Sequence, residues 1–140
     1  MTIIFTLDDN NGTQCAGKRQ SRDRVVGDKI IALANNNLHI LQEATSFFKN
    51  NDMTNVPCTI WSDLWHLPEH AVLFAEQVLP PEVMNAAEKI YVFRWNRQYP
   101  SLAKDRVNLD GFRKTVIEEF QGSSHPNITL EMYERKEEKQ

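Results

Sequence analysis

The sequence contains few cysteines and no long apolar segment, and these absences exclude several classes of protein. Its two cysteines, Cys15 and Cys58, are too few and too far apart for a disulfide framework, and neither belongs to a CxxC or Cys/His metal motif. No apolar run approaches the ~20 residues of a membrane-spanning helix. We therefore expect a cytoplasmic protein with no membrane partner and no metal.

Recognised catalytic motifs are also absent. The chain has no HExxH, GxGxxG or GxxxxGK[ST] motif. Its histidines are His39, His66, His70 and His125. We expect no catalytic residue and no cofactor. The alternative is an enzyme that processes nucleotides or RNA, with Asp8, Asp9 and His125 as its acids and base.

Composition and net charge favour one globular domain. Of the 140 residues, 41% are hydrophobic and 25% are charged, which is close to the average for globular proteins. A formal net charge of −3 argues against a protein that binds duplex DNA. We predict a single domain over residues 1–133 and a charged C-terminal tail over residues 134–140.

Positive charge is concentrated in two segments. Residues 18–24 contain four basic residues and one acid, and residues 91–114 have an excess of four positive charges. In contrast, residues 51–88 contain six acids and no lysine or arginine. Two basic segments in an acidic protein favour a small anionic ligand, since a polymer needs a broad positive face. Ordinary surface arginines are the alternative.

The hydrophobic pattern predicts alternating strands and helices. We expect strands at residues 2–7, 38–41, 71–75, 90–95, 114–120 and 128–133, with an ambiguous segment at 55–61. We expect helices after Ser21, at residues 43–50 and after Pro80. This order predicts an α/β or α+β fold, in which a central mixed sheet is flanked by short helices.

The first candidate site is a basic loop that precedes a helix. Arg19, Arg22 and Arg24 follow the turn at residues 8–12, and Ser21 is the expected cap of the helix. A helix N-terminus has unpaired N–H groups and partial positive charge, and arginine donates two hydrogen bonds to a phosphate. The loop therefore predicts an anion site. The alternative is that neighbouring aspartates pair with these arginines and only fix the loop.

The second candidate site follows the segment with the strongest β propensity. In open α/β sheets, ligands lie beyond the carboxyl ends of strands. Asn96 offers a donor and an acceptor to adenine, Arg97 can hold a phosphate, and Tyr99 can stack on a base. We expect Trp95 to pack in the core. Arg113 follows a Leu-Asp-Gly turn, and we expect it to return to the same end of the sheet.

Three stretches of the chain resemble a known family. Residues 6–12, 19–24 and 95–101 (TLDDNNG, RQSRDR and WNRQYPS) are similar to segments of small phage and prophage proteins, the first described type of Thoeris anti-defence sponge. The resemblance implies a non-enzymatic protein that sequesters glycocyclic ADP-ribose made by bacterial TIR defence proteins, and that also binds cyclic oligonucleotides. It implies homo-oligomers from dimers to hexamers, with ligands between subunits, in the cytoplasm of the infected bacterium.

The same resemblance assigns individual residues. It places the ligand-contacting asparagine at Asn96, a phosphate-binding arginine at Arg113, and a further arginine within residues 19–24. The sequence departs from the family at Lys18, at Phe112 and at Ala86, where the family has an arginine, a tryptophan and a base-stacking aromatic residue. A protein-binding module with exposed aromatic residues is a third hypothesis for this chain.

Overall fold

A seven-stranded mixed sheet forms the centre of the computed structural model, which describes residues 1–136. The strand order is β5-β4-β6-β1-β7-β9-β8. The strands are β1 (Thr2–Leu7), β4 (Leu38–Leu41), β5 (Cys58–Trp61), β6 (Val72–Ala75), β7 (Lys89–Arg94), β8 (Phe112–Phe120) and β9 (Ile128–Arg135). The first five are parallel, and β9 is antiparallel to both β7 and β8. The predicted α/β fold with a mixed sheet is confirmed.

Short helices and one small hairpin complete the described part of the chain. The α-helices are α1 (Arg24–Ala34) and α2 (Pro81–Asn85), and 3-10 helices span Gln42–Asn50 and Ala103–Asp105. Two-residue strands β2 (Gln14–Cys15) and β3 (Lys18–Arg19) form a separate hairpin in the segment that the sequence analysis predicted as a loop. No described helix is long and apolar enough to cross a membrane.

Strand β1 lies at the centre of the sheet and contributes to a hydrophobic core on each face. Every residue from Ile3 to Leu7 is buried, because helices or loops cover both sides of this strand. Successive side chains point to opposite faces, so Ile4 packs against the α1 side while Ile3 and Phe5 pack against the α2 side. Trp95, only 1% exposed, packs on the α1 side as predicted.

The start of α1 differs from the prediction by two residues. Asp23, and not Ser21, is the N-cap, and its carboxylate accepts a hydrogen bond from the N–H of Val26 at 3.0 Å. The helix ends at Asn35, whose φ of 49° is the left-handed conformation that asparagine tolerates. Ser21 instead donates to Ser124.

The C-terminal strand is longer than predicted. β9 continues to Arg135, whose guanidinium donates to the carbonyl oxygens of Ala87 and Met84. Residues 134 and 135 therefore belong to the sheet and not to a tail. Residues 137–140 of the predicted tail lie outside the described residues.

Candidate functional site

The first predicted basic segment, and the part of the second that directly follows β7, lie at the carboxyl edge of the sheet, where β1, β4, β6 and β7 end. The loop after β1 and the loop after β7 contact each other directly at this edge. The N–H of Asp9 donates to the carbonyl of Arg97 at 2.9 Å, and the N–H of Ala16 donates to the carbonyl of Pro100 at 2.7 Å. The candidate residues on these loops are therefore held on one side of the molecule by backbone hydrogen bonds.

Asp8 joins the two loops. It is fully buried, and one carboxylate oxygen accepts hydrogen bonds from the N–H groups of Asn10 and Gly12, at 2.9 and 2.8 Å. The other oxygen accepts a bond from the N–H of Tyr99 at 3.1 Å. A Cβ at Gly12 would lie 3.0 Å from the carboxylate and 3.1 Å from the hydroxyl of Ser101, so any larger residue would have to displace these groups slightly. These bonds give Asp8 a structural role at the base of the site.

Arg94 is held in a second polar network beside Asp8. Its Nε donates to the carboxylate of Glu131 at 2.7 Å, and its terminal nitrogens donate to the hydroxyl of Tyr133, the carbonyl of Asp8 and the side-chain oxygen of Asn11. Burial disfavours the charged guanidinium, but the bonds to Glu131 and Tyr133 outweigh it and raise the pKa of Arg94. With four acceptors from its own chain, this arginine has little capacity left for a ligand.

A chain of hydrogen bonds links the loop after β7 to the start of α1. The hydroxyl of Tyr99 lies 2.6 Å from Nε2 of His125, and Nδ1 of His125 lies 2.6 Å from Oγ of Ser124. Oγ of Ser124 lies 2.8 Å from the carboxylate of Asp23, which also accepts the N–H of Ser124 at 2.7 Å. The imidazole of His125 stacks on Trp95 with 4.7 Å between ring centroids.

The protonation states of His125 and Asp23 in this series of hydrogen bonds oppose catalysis by Ser124. Burial, and then the positive charge of Arg97, lower the pKa of His125, so the imidazole is neutral at pH 7. Burial would raise the pKa of Asp23, but hydrogen bonds from Ser124, Val26 and Ser123 outweigh it and lower that pKa. An ionised Asp23 accepts a hydrogen bond from the hydroxyl of Ser124, so the oxygen of Ser124 can only accept a hydrogen bond from His125. The histidine is thus not placed to remove a proton from the serine.

A cleft opens beside these networks at the same edge of the sheet. Its volume is about 320 Å³, and its walls come from β4, the first 3-10 helix and the segments after β1 and β6. The lining residues are Gln14, Arg19, Leu41, Glu43, Ala44, Ser46, Glu76 and Gln77. No side chain caps the 3-10 helix at Leu41, so its first N–H groups have no side-chain acceptor at this end.

Arg19 and Glu76 form a bidentate ion pair on one wall of the cleft. Nε and one terminal nitrogen of Arg19 donate to the two oxygens of Glu76 at 2.6 and 2.7 Å. These bonds raise the pKa of Arg19 against the opposing effect of burial. The other terminal nitrogen of Arg19 has no acceptor among residues 1–136 and remains able to donate to a ligand oxygen.

The other arginines of the first segment lie outside the cleft wall. Arg22 is exposed, and its Nε donates to the carbonyl of Ser46 at 2.9 Å. Arg24 is exposed on the first turn of α1 and makes a long ion pair of 3.4 Å with Asp28. Arg22 therefore contacts the 3-10 helix that lines the cleft, through the carbonyl of Ser46, whereas Arg24 contacts Asp28 on α1.

The residues after β7 divide into fixed and free groups. Asn96 has a left-handed backbone (φ 57°), and its side-chain amide donates to the carbonyl of Asn127 and the hydroxyl of Thr129. Tyr99 is bonded to His125, as described above. Arg97 is exposed and makes no side-chain hydrogen bond or ion pair with the described residues. Among the predicted cations at this edge of the sheet, Arg97 is therefore the one with the most freedom to meet an anion.

The structure does not bring Arg113 to this edge within one chain. In the strand register, Arg113 on β8 lies opposite Glu134 on β9, and Glu134 lies opposite Lys89 at the start of β7. Asn96 lies beyond the other end of β7, after Arg94. The five residue steps from Lys89 to Arg94 separate the two ends by about 17 Å at ~3.4 Å per step. The expectation that Arg113 returns to the site after its turn is wrong for a single chain.

Sequence reasoning missed the acidic side of the cleft. Glu43 and Glu76 were not among the candidates, because acids in a predicted anion site were interpreted only as loop partners, and Gln77 was not considered. The available signal was that Glu76 directly follows a buried strand, the same position that drew attention to Asn96. Among residues 1–136, no group of three histidine, cysteine or acidic side chains is placed to hold a metal ion.

A larger cleft lies away from the predicted residues. It has a volume of about 380 Å³ and is formed by α2, the loop after the second 3-10 helix and the ends of β8 and β9. Its lining includes Leu79, Met84, Arg106, Phe112 and Arg135. None of the predicted ligand residues contributes to it, so it does not belong to the candidate site.

Comparison with known proteins supports the fold and leaves the family open. A solved structure of dihydrofolate reductase from Enterococcus faecalis, complexed with NADP(H) and RAB-propyl, superimposes with a TM-score of 0.63 and 13% sequence identity. The match covers 97% of this chain and 96% of the reductase. No family model and no curated protein matches the sequence. The chain therefore has a dihydrofolate-reductase-like fold, and at this identity the likeness extends to the fold alone.

Proposed function

We propose that this protein binds a nucleotide containing ADP-ribose at the carboxyl edge of its sheet and holds it without cleaving it. In the setting implied by the family resemblance, the ligand is glycocyclic ADP-ribose and the protein blocks Thoeris immunity in the cytoplasm of an infected bacterium. Cyclic oligonucleotides are a second ligand class under this proposal. The observation that carries it is the cleft whose wall presents Arg19.

The donors around this cleft suit a pyrophosphate. Arg19 has N–H donors left after it pairs with Glu76, and the uncapped first turn of the Gln42–Asn50 helix faces the same space. Glu43 and Gln77 add groups that hydrogen-bond ribose hydroxyls or an adenine edge. Cation and acid together fit a ligand that combines phosphates with sugars and a base.

The fold offers a second line of support. The solved reductase with this fold is complexed with NADP(H), and NADP(H) contains an ADP-ribose unit. In open α/β sheets, nucleotides bind outside the carboxyl ends of the strands. The fold therefore supports the proposal that a nucleotide binds at this edge of the sheet.

Binding without catalysis is proposed because two of the three candidate groups, Asp8 and His125, are already engaged by other parts of the chain. Asp8 accepts three backbone N–H groups, and both ring nitrogens of His125 have partners. A sequestering protein needs tight binding of the ground state, about −12 kcal/mol for nanomolar affinity, and no group reserved for a transition state. This supports a sponge over a nucleotide- or RNA-processing enzyme that uses Asp8, Asp9 and His125.

The proposal is tested by calorimetric titration with glycocyclic ADP-ribose, linear ADP-ribose, NADPH and a cyclic dinucleotide. We expect the cyclic ADP-ribose to bind most tightly and to be recovered intact by chromatography after heat denaturation of the complex. Recovery of a cleaved product contradicts the sponge. Tight binding of NADPH alone, followed by its oxidation when dihydrofolate is added, assigns the protein to reductase chemistry instead. A chain that binds none of the four ligands favours the protein-binding module.

A further inference from the structure

Strand β8 forms one edge of the sheet and is long for an edge strand. It spans nine residues, Phe112–Phe120, and is the last strand in the sheet order. One side pairs with β9, and no other strand among residues 1–136 pairs with its outer side. An exposed edge of this length, about 30 Å at ~3.4 Å per residue, is a template for pairing with another strand.

The side chains of β8 are exposed and carry an apolar centre. Every residue from Arg113 to Glu119 is exposed, including Val116 at 54% and Ile117 at 48%. Edge strands are usually protected by charge along their length or by a covering segment. Here the two most apolar residues of the exposed run occupy its middle, and nothing in the described chain covers them.

Charge is arranged with opposite signs at the two ends of this strand. Arg113 and Lys114 lie before the apolar centre, and Glu118 and Glu119 lie after it. A second β8 aligned in parallel would place like charges side by side. An antiparallel copy places each basic half opposite the acidic half of the other strand, and opposite charges across neighbouring strands stabilise the pair.

We propose that β8 pairs antiparallel with β8 of a second copy of this chain, about a two-fold axis near Val116. The two seven-stranded sheets then form one continuous sheet through a homodimer. A two-fold interface uses the same patch on both copies, so the patch must be complementary to itself reversed. The sequence Arg-Lys-Thr-Val-Ile-Glu-Glu of residues 113–119 meets this condition.

The intrachain contacts of these charges leave them available. Arg113 and Glu119 make no ion pair with the described residues, and Lys114 lies 3.7 Å from Glu131 while remaining 53% exposed. Glu118 pairs with Lys29 at 2.7 Å and keeps 42% of its side chain exposed. At each end of β8, a second copy of the chain therefore meets one charge that has no ion pair and one charge whose ion pair is partly exposed.

A β-bulge modifies the register without removing the complementarity. The pairing with β9 skips Ile117 between Val116 and Glu118, so side chains before and after the bulge alternate out of phase. A one-residue shift of the β8 pairing still sets the basic half against the acidic half. The charge of Lys114 also disfavours strands that present no acid opposite it, which selects a partner of reversed charge over an arbitrary peptide.

The interface is small and rich in charge, so the dimer is expected to be weak and sensitive to salt. Sedimentation velocity of the full chain, from about 1 μM to about 1 mM, covers the affinities expected of such a contact. We expect a monomer–dimer equilibrium that weakens as salt increases. A protein that stays monomeric over this range overturns the proposal.

Charge-reversal variants test the interface itself. E118K/E119K makes both halves basic, and R113E/K114E makes both halves acidic, so each variant alone is expected to dimerise at least about tenfold more weakly. An equimolar mixture of the two is expected to form a heterodimer, because each half then meets its opposite. The control variant E82K/E88K has the same change in net charge as E118K/E119K, at exposed positions on and after α2. It is expected to dimerise like the unchanged protein.

Two results contradict the assignment. If both reversal variants dimerise normally, or if their mixture shows no heterodimer, the contact lies elsewhere. Hydrogen exchange provides the second measurement, because backbone pairing protects amides of β8 as the concentration rises, whereas a side-chain contact does not. Equal exchange of β8 amides at low and high concentration excludes strand pairing. Neither measurement uses a nucleotide, so the outcome is independent of the proposed function.

Discussion

Two arginines at the carboxyl edge of the sheet, Arg94 and Arg19, differ from Arg113 on β8 because their own chain supplies each of them with a carboxylate partner. Arg94 and Arg19 make short bonds to Glu131 and Glu76, within networks that fix the loops after β1 and β7. Arg113 lies on an exposed strand and has no ion pair among residues 1–136. Clusters that look alike in the sequence therefore have separate roles, and burial and acceptors distinguish them.

The largest effect is expected for Arg94→Ala. The substitution leaves Glu131, only 7% exposed, without its guanidinium partner, and removing one partner of a buried ion pair costs about 3–5 kcal/mol. Urea denaturation measures the free energy of unfolding. The double variant R94A/E131A serves as control, because it removes both charges and is expected to recover part of the loss. A loss below about 1 kcal/mol for the single variant would mean that the bonds of Arg94 to Glu131 contribute little to stability.

Next in size is the effect of Arg19→Ala on ligand binding. A charge-assisted hydrogen bond contributes about 1.5–3 kcal/mol, so nucleotide affinity is expected to fall by about 10- to 100-fold in calorimetric titration. Arg24→Ala is the matched control, since Arg24 pairs with Asp28 away from the cleft and its loss is expected to leave affinity unchanged. If the two variants lose affinity equally, the cleft is not the site.

Much of the fold was predictable because apolar β-branched segments are buried on both faces. β1 begins and ends where the sequence predicted, and β4 does the same. The hairpin of β2 and β3 was not predictable, since two-residue strands in a polar loop carry no periodicity. The cap of α1 was assigned to Ser21 because serine and Asp23 are both good caps, and only the contacts of Ser124 decide between them.

The position of the candidate residues after β7 was predictable, whereas the lining of the cleft was not, apart from Arg19. Asn96, Arg97 and Tyr99 lie beyond the carboxyl end of β7 as predicted, because that position follows from the strand direction alone. Arg113 was misplaced because the connection over residues 95–111 returns the chain to the opposite edge before β8 begins. Such a return depends on the packing of residues such as Val107 on the α2 face, which a single sequence does not reveal.

The pH dependence of stability tests the burial of two histidines. Burial lowers the pKa of both His125 and His39. The unfolded chain takes up protons near the ordinary value of 6.5 while the folded chain does not, so the free energy of unfolding should fall as pH drops below about 6.5. His125→Gln is expected to reduce this fall, and the double variant with His39→Gln to reduce it further. A fall of unchanged steepness in the double variant would assign the pH dependence to other groups.

The smallest effect on stability is expected for Arg113→Ala, which completes the comparison with Arg94. Arg113 is exposed and unpaired within the described chain, so the free energy of unfolding should change by less than about 0.5 kcal/mol. Urea denaturation at low concentration, where the chain is monomeric, measures it. Nucleotide affinity measured under the same conditions should also be unchanged, because within one chain Arg113 is too far from Asn96 for both to contact one ligand. Affinity could fall in the dimer only, because the antiparallel β8 contact places the partner's Arg113 near Glu119. Glu119 lies opposite Thr129 in the sheet, and Thr129 accepts a hydrogen bond from Asn96. That result would join the two regions into one site completed across the β8 contact, and would restore the predicted role of Arg113 between chains.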